Sequence, residues 1–444
     1  MTGPTAGSGP TAPTVGLIRT IGRFSLTAIA LNTIIGTGVF VLPGTTAGRL
    51  GWIGLVGWVL AAGFTAAMIF SFAEVASRFQ AAGGAYLFTR VAFGRFAGIQ
   101  MAWIVYFARV ISAAVQANLF SAYLAELVPW VGTRVGGIVA TTVFIGALTI
   151  ANIRSVVSGT RVSDVLASIK VLSLVGFGVL GIVWLAGGHP IESPVPSDPT
   201  ARGWLEVLLL LMFAYGGFEA ALIPLSEAKD PGRDPAVALL SGLAVVTVVY
   251  LAAQVTVLAT LPDPGSTTRP LAASAGVMLG RTGAVIVSVA ALISVYGWLA
   301  SNMLTVPRLT MAMAEEGELP AFFGRIHPVF RTPALSIAIF GGLSWLLANQ
   351  AGLLQNLGLS AVSRLFIYGG VCAALPVFRR RDGTAASPGP ARYRAPWGVG
   401  MAVIGVLISL ILATAMSGRE ALTMALVVLA ATIHWWVAGT RRRS

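Results

Sequence analysis

From about residue 25 to its end, the chain alternates between long apolar stretches and short polar connections. A helix that crosses a lipid bilayer needs roughly 20 apolar residues, and about twelve stretches approach that length. The pattern therefore predicts an all-α membrane protein with about twelve transmembrane helices. The predicted spans cover residues 25–47, 51–74, 97–127, 135–153, 163–186, 204–225, 236–261, 275–312, 333–349, 357–378, 398–415 and 420–438.

Two of these spans are interrupted by small residues. The first contains GTG at positions 36–38, and the sixth contains Gly216 and Gly217 followed by Glu219. A glycine inside a helix costs about 1 kcal/mol relative to alanine, so each helix either breaks there or admits a close neighbour. If the chain consists of two repeats of five spans, the interruptions occupy corresponding positions, which favours breaks. The two stretches read LNTIIGTGVFVLPG (31–44) and LLLMFAYGGFEAALIPLSEA (209–228).

A broken helix leaves backbone N–H and C=O groups without helical partners. Within a membrane this is tolerated only where those groups face a cavity or a ligand. The positive N-terminal end of a half-helix suits a carboxylate, and freed carbonyls suit an ammonium. Two such breaks predict a backbone site for an α-amino acid. The alternative is that Gly36 and Gly38 only allow close helix packing.

Composition supports the membrane interpretation. Hydrophobic residues make up 56% of the chain and charged residues 10%, against about 25% charged in soluble proteins. The polar ends of the chain and its longest polar connection define the predicted segments outside the membrane. We predict a disordered cytoplasmic N-terminus at 1–20, a cytoplasmic loop at 379–397 and a cytoplasmic tail at 439–444.

The basic residues predict the orientation. Twenty of the 29 lysine and arginine residues fall in loops on one side, six on the other and three inside spans. Positive residues favour the cytoplasmic side, so both termini are predicted to be cytoplasmic in a multi-pass protein of the cell membrane. The net charge of +13 is then explained by anionic membrane lipid, with no nucleic acid as a partner.

Candidate catalytic and metal-binding groups are scarce. The single cysteine, Cys372, lies inside a predicted span, and His189, His327 and His434 lack metal-ligand spacing. We therefore predict no metal, no cofactor and no enzyme activity. An ion channel would need a continuous polar stripe along several helices, whereas the polar residues concentrate at the two breaks.

Five stretches together resemble bacterial amino acid permeases of the amino acid–polyamine–organocation superfamily. The resemblance runs from about residue 16 to the end. The stretches are IIGTGVF in the first span, FAEVASRFQAAGGAYLFTRVAFG (72–94), FAYGGFEAALIPLSEAKDPGRDPAVAL (213–239), SNMLTVPRLTMAMAEEGELP (301–320) and RYRAPWG (392–398).

The resemblance implies a five-plus-five inverted repeat with two extra C-terminal helices, in which spans 1 and 6 are discontinuous. The core would cover 21–378, as repeats at about 21–187 and 202–378, followed by accessory helices at 398–438. The resemblance implies that the substrate carboxylate binds Thr37 and the N–H groups of Gly36 to Gly38. The substrate ammonium would bind carbonyls near Ile34, Phe213, Ala214 and Gly216. Phe213 or Tyr215 would form an aromatic gate over the substrate, and Asn302 would lie beside the substrate side chain.

The resemblance also assigns coupling or gating to Lys170 and Glu219. In sodium-independent relatives a lysine at the position of Lys170 occupies the space of a sodium ion. Burial favours its neutral form, so it could load and release a proton. The alternatives are that Lys170 extends to the membrane surface, and that Glu219 serves as a partner for Arg109 or for a freed N–H.

Arg109 lies near the middle of the third span and has two interpretations. It contacts the substrate and favours an acidic side chain, or it pairs internally with Glu219 or Glu74. A fixed cation there disfavours arginine, lysine and polyamine substrates. We expect Arg364 to pair with a carbonyl or a lipid headgroup, and Glu74 to lie at the membrane interface.

The predicted function is sodium-independent secondary active transport of an α-amino acid by alternating access. Coupling is to protons or to exchange with a second amino acid. The partners are an amino acid, a proton or counter-substrate, membrane lipid and, in a homodimer, a second copy. The alternatives are an amino acid sensor, or a transporter of another organic solute such as a polyamine.

Overall fold

All regular elements in the described part of the chain are helices. The computed structural model describes residues 23–79, 84–154, 160–192, 194–222, 234–315, 319 and 321–440. The α-helices are α1 (Arg23–Ile34), α2 (Leu42–Leu50), α3 (Gly54–Ser77), α4 (Gly84–Phe93), α5 (Arg95–Leu127), α6 (Arg134–Arg154), α7 (Thr160–Ala186), α8 (Ala201–Ala214), α9 (Phe218–Ala221), α10 (Asp234–Thr260), α11 (Pro270–Glu315), α12 (Ala334–Gln350), α13 (Leu353–Arg380), α14 (Gly398–Ala413) and α15 (Gly418–Thr440).

Within the described residues, eight helical stretches are long and apolar enough to cross a membrane, and α12 and α14 are shorter apolar helices. This confirms the prediction of an all-helical, multi-pass membrane protein. The count of twelve spans stays a prediction. Its first and sixth spans are each divided between two helices, and neither α1, with 12 residues, nor α8, with 14, is long enough alone to cross a hydrocarbon core of about 30 Å.

The predicted span 275–312 lies within α11, which bends early. Gly280 has a φ of 65°, so the helix changes direction there. A left-handed backbone conformation favours glycine because it has no Cβ. The predicted span 275–312 thus includes a break in helical geometry at Gly280, five residues after its predicted start.

Helices α5 and α13 form the centre of the bundle. Helix α5 packs against α4, α6, α11, α12, α13 and α15, and α13 also packs against α3, α8 and α14. Helix α15 lies on the outside and exposes large apolar side chains along one face, as a lipid-facing helix does. They include Leu422, Leu426, Leu429, Ile433 and Trp436.

One end of α3 carries a buried ionic cluster, which we call the Glu74 cluster (Glu74, Arg78, Arg379 and Asp382). Glu74 is fully buried and accepts hydrogen bonds from Arg379 at 2.6 and 2.8 Å and from Arg78 at 3.2 Å. The N–H of Ala395 donates to the same carboxylate at 2.8 Å. Two of these partners, Arg379 and Ala395, follow Glu74 by more than 300 residues, so its carboxylate is enclosed by the protein. The prediction that Glu74 lies at the depth of the membrane interface stays a prediction.

The Glu74 cluster positions the segment after α13. Arg78 also donates to Asp382, and Arg394 donates to Asp382 at 3.0 Å. Residues 379 and 380 still belong to α13, so the connection predicted at 379–397 begins two residues later. The predicted segment 1–20 and the tail from 441 lie outside the described residues, as does most of the acidic–basic stretch 227–234.

The contact between Arg78 and Asp382 predicts a pH dependence of stability. The Arg78 guanidinium donates to Asp382 and holds the pKa of that carboxyl below its usual range. A lowered carboxyl pKa stabilises the fold at pH values above the unfolded-state pKa of about 3.9, and this contribution is lost as the pH falls through the folded-state value. In detergent, the melting temperature of Asp382→Asn should therefore fall less steeply with acid than that of the wild type.

The matched control is Asp263→Asn, since Asp263 is an exposed loop residue. It should keep the wild-type pH profile. A wild-type slope in Asp382→Asn would mean that this carboxylate does not contribute to the acid sensitivity.

Candidate functional site

The first predicted break is present between α1 and α2. Helix α1 ends at Ile34, and a 3₁₀ turn over Gly38–Phe40 leads into α2. Thr37 is buried, and its hydroxyl accepts a hydrogen bond from Gln116 of α5 at 3.1 Å. Within the described residues, no acceptor contacts the N–H groups of Thr37 and Gly38. The break therefore presents donors of the kind that bind a carboxylate.

The second predicted break separates α8 from α9. Tyr215 to Gly217 form the turn, in which Gly217 has a φ of 110°. The N–H of Gly217 donates to the carboxylate of Glu219 at 2.9 Å. Glu219 thus satisfies a backbone donor at the start of α9, one of the roles that the sequence left open for it.

The two breaks cross in direct contact. A Cβ on Gly38 would lie 2.8 Å from the Cα of Ala214, and a Cβ on Gly217 would lie 2.2 Å from the carbonyl oxygen of Thr33. Either distance is shorter than van der Waals contact. Gly38 and Gly217 therefore lie where the helices both break and pack closely. Gly36 does not, since a Cβ there would meet only the carbonyl oxygen of Ile34, at 3.8 Å.

Tyr250 of α10 connects the two breaks. Its hydroxyl lies 3.2 Å from the carbonyl oxygen of Ile34 and 3.1 Å from that of Ala214. These two carbonyls were predicted to face the substrate ammonium, and each retains a second lone pair. Sequence reasoning missed Tyr250, although a tyrosine inside an apolar span indicates a buried hydroxyl that needs a partner.

Tyr215 belongs to an aromatic group with Trp58 and Tyr250. It is fully buried, and its hydroxyl donates to the carbonyl of Trp58 at 3.1 Å. The indole of Trp58 donates in turn to Gln254 at 2.8 Å. Phe213, the other proposed gate residue, is not part of this group. Cζ of Arg364 lies over its ring, 5.2 Å from the ring centroid.

A second ionic group, the Glu219 cluster, consists of Arg109 on α5, Glu219 on α9, and Arg364 and Tyr368 on α13. Arg364 lies 3.2 Å and Arg109 3.7 Å from one oxygen of Glu219, and the hydroxyl of Tyr368 donates to the other at 3.1 Å. The expectation that Arg364 pairs with a carbonyl or a lipid headgroup is therefore wrong. Arg109 has the internal partner Glu219, whereas Glu74 belongs to the other cluster.

Lys170 on α7 contacts the end of α1. It is 6% exposed, and its ammonium donates to the carbonyl of Asn32 at 2.8 Å and to its side-chain oxygen at 3.0 Å. A lysine that extends to the membrane surface would not be buried in this way. Asn32 was missed, although an amide within an apolar helix is a polar group that needs a partner.

Asn302 on α11 is buried, and its amide donates to the carbonyl of Trp298 in the same helix at 2.9 Å. Its described hydrogen bond thus stays within α11 and does not join it to either break.

Polar pairs also connect α5 and α13, and we call them the α5–α13 seam. Ser112 and Ser360 are 2.8 Å apart, and Asn356 donates to Asn118 at 2.8 Å. The sequence analysis expected the polar residues to concentrate at the two breaks, so it did not predict the α5–α13 seam. It ends beside the Glu219 cluster, since Arg109 and Ser112 share α5 while Ser360 and Arg364 share α13.

Comparison with known proteins gives a consistent result. The amino acid permease family model matches residues 21–438. The chain is 28% identical to the methylthioribose transporter of Bacillus subtilis over 71% of this chain and 72% of that protein. It is 28% identical to the serine/threonine exchanger SteT of the same organism over 73% and 75% of the two chains, and 24% identical to its branched-chain amino acid permease BcaP over 82% of each.

The close contact at the crossing predicts that an added methyl group lowers thermal stability at Gly38 but not at a glycine with open space around it. Gly38→Ala should lower the thermal unfolding midpoint in detergent, because overpacking a tight contact costs about 1–3 kcal/mol. The control is Gly63→Ala on α3, where an added Cβ meets nothing within 4 Å. This control should equal or exceed the wild type, because alanine favours helix. Equal midpoints for Gly38→Ala and the wild type would show that the crossing relaxes without cost.

Proposed function

The chain belongs to the amino acid permease family, and on that premise we propose that it is a secondary active transporter that moves an α-amino acid across the cell membrane by alternating access. The family makes it a multi-pass membrane transporter and not an enzyme. The observation that carries the proposal is the crossing of two helix breaks, where the N–H groups of Thr37 and Gly38 have no described acceptor.

The proposed substrate position follows from the backbone groups at the crossing. The α-carboxylate binds the N–H groups of Gly36 to Gly38 and the Thr37 hydroxyl. The ammonium binds the carbonyls of Ile34 and Ala214, beside the hydroxyl of Tyr250. A Cβ on Gly216 would lie 2.3 Å from Nη1 of Arg364, so a permanent cation covers that residue. Like-charge repulsion therefore moves the ammonium away from Gly216 and towards α1.

The proposed architecture is the five-plus-five inverted repeat with accessory helices at 398–438 and both termini cytoplasmic. Two features support it. The first and sixth predicted spans are the divided ones, and basic residues concentrate in the loops assigned to the inside. The two interrupted helices then occupy equivalent places in their repeats, as in transporters that bind substrate near the bilayer midplane.

Coupling is proposed to involve Lys170 and to be independent of sodium. Its ammonium joins α7 to the last turn of α1, next to the first break. A buried lysine that gains or loses a proton makes or weakens this link, and so couples protonation to the position of α1. Exchange of amino acids is the second mode, which the function of the serine/threonine exchanger relative supports.

The alternative substrate is another organic solute. The methylthioribose transporter relative supports this possibility. A polyamine fits poorly beside Arg109 and Arg364, because both guanidiniums stay protonated. An amino acid sensor would bind the substrate through the same contacts as a transporter. Only an uptake assay would distinguish the two, because a sensor would not move the substrate across the membrane.

The experiment that tests the proposal is uptake into sodium-free proteoliposomes. The labelled panel is glutamate, leucine, methionine, serine and arginine, with an inward proton gradient or with unlabelled amino acid inside. Gradient-driven uptake supports symport, and uptake only against internal amino acid supports exchange. Binding without uptake under either condition would identify a sensor, and neither binding nor uptake would exclude amino acids as substrates.

Lys170 gives a sharper prediction. Lys170→Met, which cannot carry the proton, should abolish the pH dependence of uptake while weakening substrate binding less. Lys170→Arg keeps a charged donor towards Asn32 and should restore thermal stability without restoring the pH dependence, because arginine does not deprotonate. Wild-type pH dependence in Lys170→Met would remove Lys170 from the coupling step.

A further inference from the structure

We propose that the transported substrate carries an anionic group on its side chain, and that Arg109 and Arg364 bind this group beside the second break. The inference rests on the proposed transport function and specifies its substrate class. The expected substrates are short acidic amino acids, with a carboxylate at each end.

The Glu219 cluster has more positive than negative charge. Two guanidiniums, which stay protonated, face one carboxylate. Among the described residues, no other carboxylate pairs with Arg109 or Arg364. The excess positive charge lies near the middle of α5 and α13, where an uncompensated charge is expensive. A bound anion would neutralise it.

Glu219 already has several donors. Its two oxygens accept hydrogen bonds from Gly217, Tyr368 and Arg364 at 2.9–3.2 Å. Arg109 remains at 3.7 Å, beyond hydrogen-bond distance. An arginine has five N–H donors in a planar fork, and the described residues provide no hydrogen-bond acceptor for those of Arg109. Its fork is therefore available for a carboxylate.

Two further buried donors on the helices that carry Arg109 and Arg364 lack a described partner. Nε of Arg364 and the hydroxyl of Tyr106 are buried without a described partner. Tyr106 lies three residues before Arg109 on α5, so the two side chains share one face of that helix. The Arg109 and Glu219 side chains keep 25% and 20% of their surface accessible, so a small anionic group can approach the Arg109 guanidinium on the side that does not face Glu219.

The two anion sites lie close together. The first is at Gly38, which abuts Ala214, and the second is at Arg364, which abuts Gly216. Ala214 and Gly216 are two residues apart, a separation of at most about 7 Å along the chain. Residues that are neighbours in the chain thus border both sites, which favours a substrate whose two carboxylates are separated by a short side chain.

The experiment compares each acid with its amide: glutamate with glutamine, and aspartate with asparagine. Binding is measured on the purified full-length protein as ligand-induced thermal stabilisation, and transport is measured in proteoliposomes. The wild type should prefer the acid, and Arg109→Gln should weaken binding of the acid about ten- to a hundredfold while changing amide binding little. The matched control is Arg134→Gln, an exposed arginine at the start of α6, which should keep the wild-type preference.

A second variant covers the possibility that Arg109→Gln does not fold. Arg109→Lys keeps the charge but loses the planar fork, so the acid-to-amide preference should fall while the gel-filtration profile stays that of the wild type. Equal binding of acid and amide by the wild type would overturn the proposal. An equal loss of both ligands in Arg109→Gln would also overturn it and make Arg109 a structural residue.

Two further arms test whether the site binds an inorganic anion and whether the substrate is neutral. All measurements are repeated with chloride replaced by gluconate. If chloride stabilises the wild type in an Arg109-dependent manner and acidic amino acids do not, an inorganic anion occupies the site and the proposal fails. Uptake of neutral amino acids alone would refute the acidic substrate and leave the transporter intact. Arg109-dependent glutamate binding without any uptake would support the anion site and refute transport.

Discussion

The fold depends on one constraint: backbone groups freed in the middle of a membrane helix need partners inside the protein. Here the two breaks meet each other, and Gly38 and Ala214 leave no space for a side chain between them. The hydroxyl of Tyr250 serves carbonyls from both breaks, and Glu219 serves the N–H of Gly217. A crossing with these requirements must lie in the interior. Residues 35–37 and 215–217 are accordingly buried or half-buried, with α5, α10 and α13 beside them.

The two broken helices are attached to different neighbours. At the first break, α1 is joined to α7 through Lys170 and Asn32. At the second, α9 is joined to α5 and α13 through the carboxylate of Glu219. A charged side chain therefore contributes to each attachment: the Lys170 ammonium, hydrogen-bonded to Asn32, at the first break, and the Glu219 carboxylate, paired with two guanidiniums, at the second. Charged contacts in a low-dielectric interior respond strongly to added or removed charge, so in the proposed mechanism a proton at Lys170 and an anion at Arg109 would act on separate helices.

The breaks could be predicted from sequence because the signal is local. A glycine pair in an apolar stretch is visible within a few residues, and both GTG and YGGFE marked helix ends in the structure. The partners of charged residues could not be predicted in the same way. Arg364 reaches Glu219 across 145 residues, and Arg379 reaches Glu74 across 305. Spacing shows that a charge lies inside a span, but which helix faces it depends on packing that no short motif specifies.

The members of the Glu219 cluster differ in how firmly they are held. Arg109 and Arg364 lie on α5 and α13, which the α5–α13 seam joins through a serine pair and an asparagine pair. Sites on packed, hydrogen-bonded helices keep their geometry. Glu219 lies instead just after a break. An anion that binds the two arginines competes with Glu219 for the same donors, and a displaced Glu219 would leave the N–H of Gly217 without its partner. Under the proposal, occupation of the anion site and the position of α9 would thus be linked through the Glu219 carboxylate, which competes with the anion and also holds the N–H of Gly217.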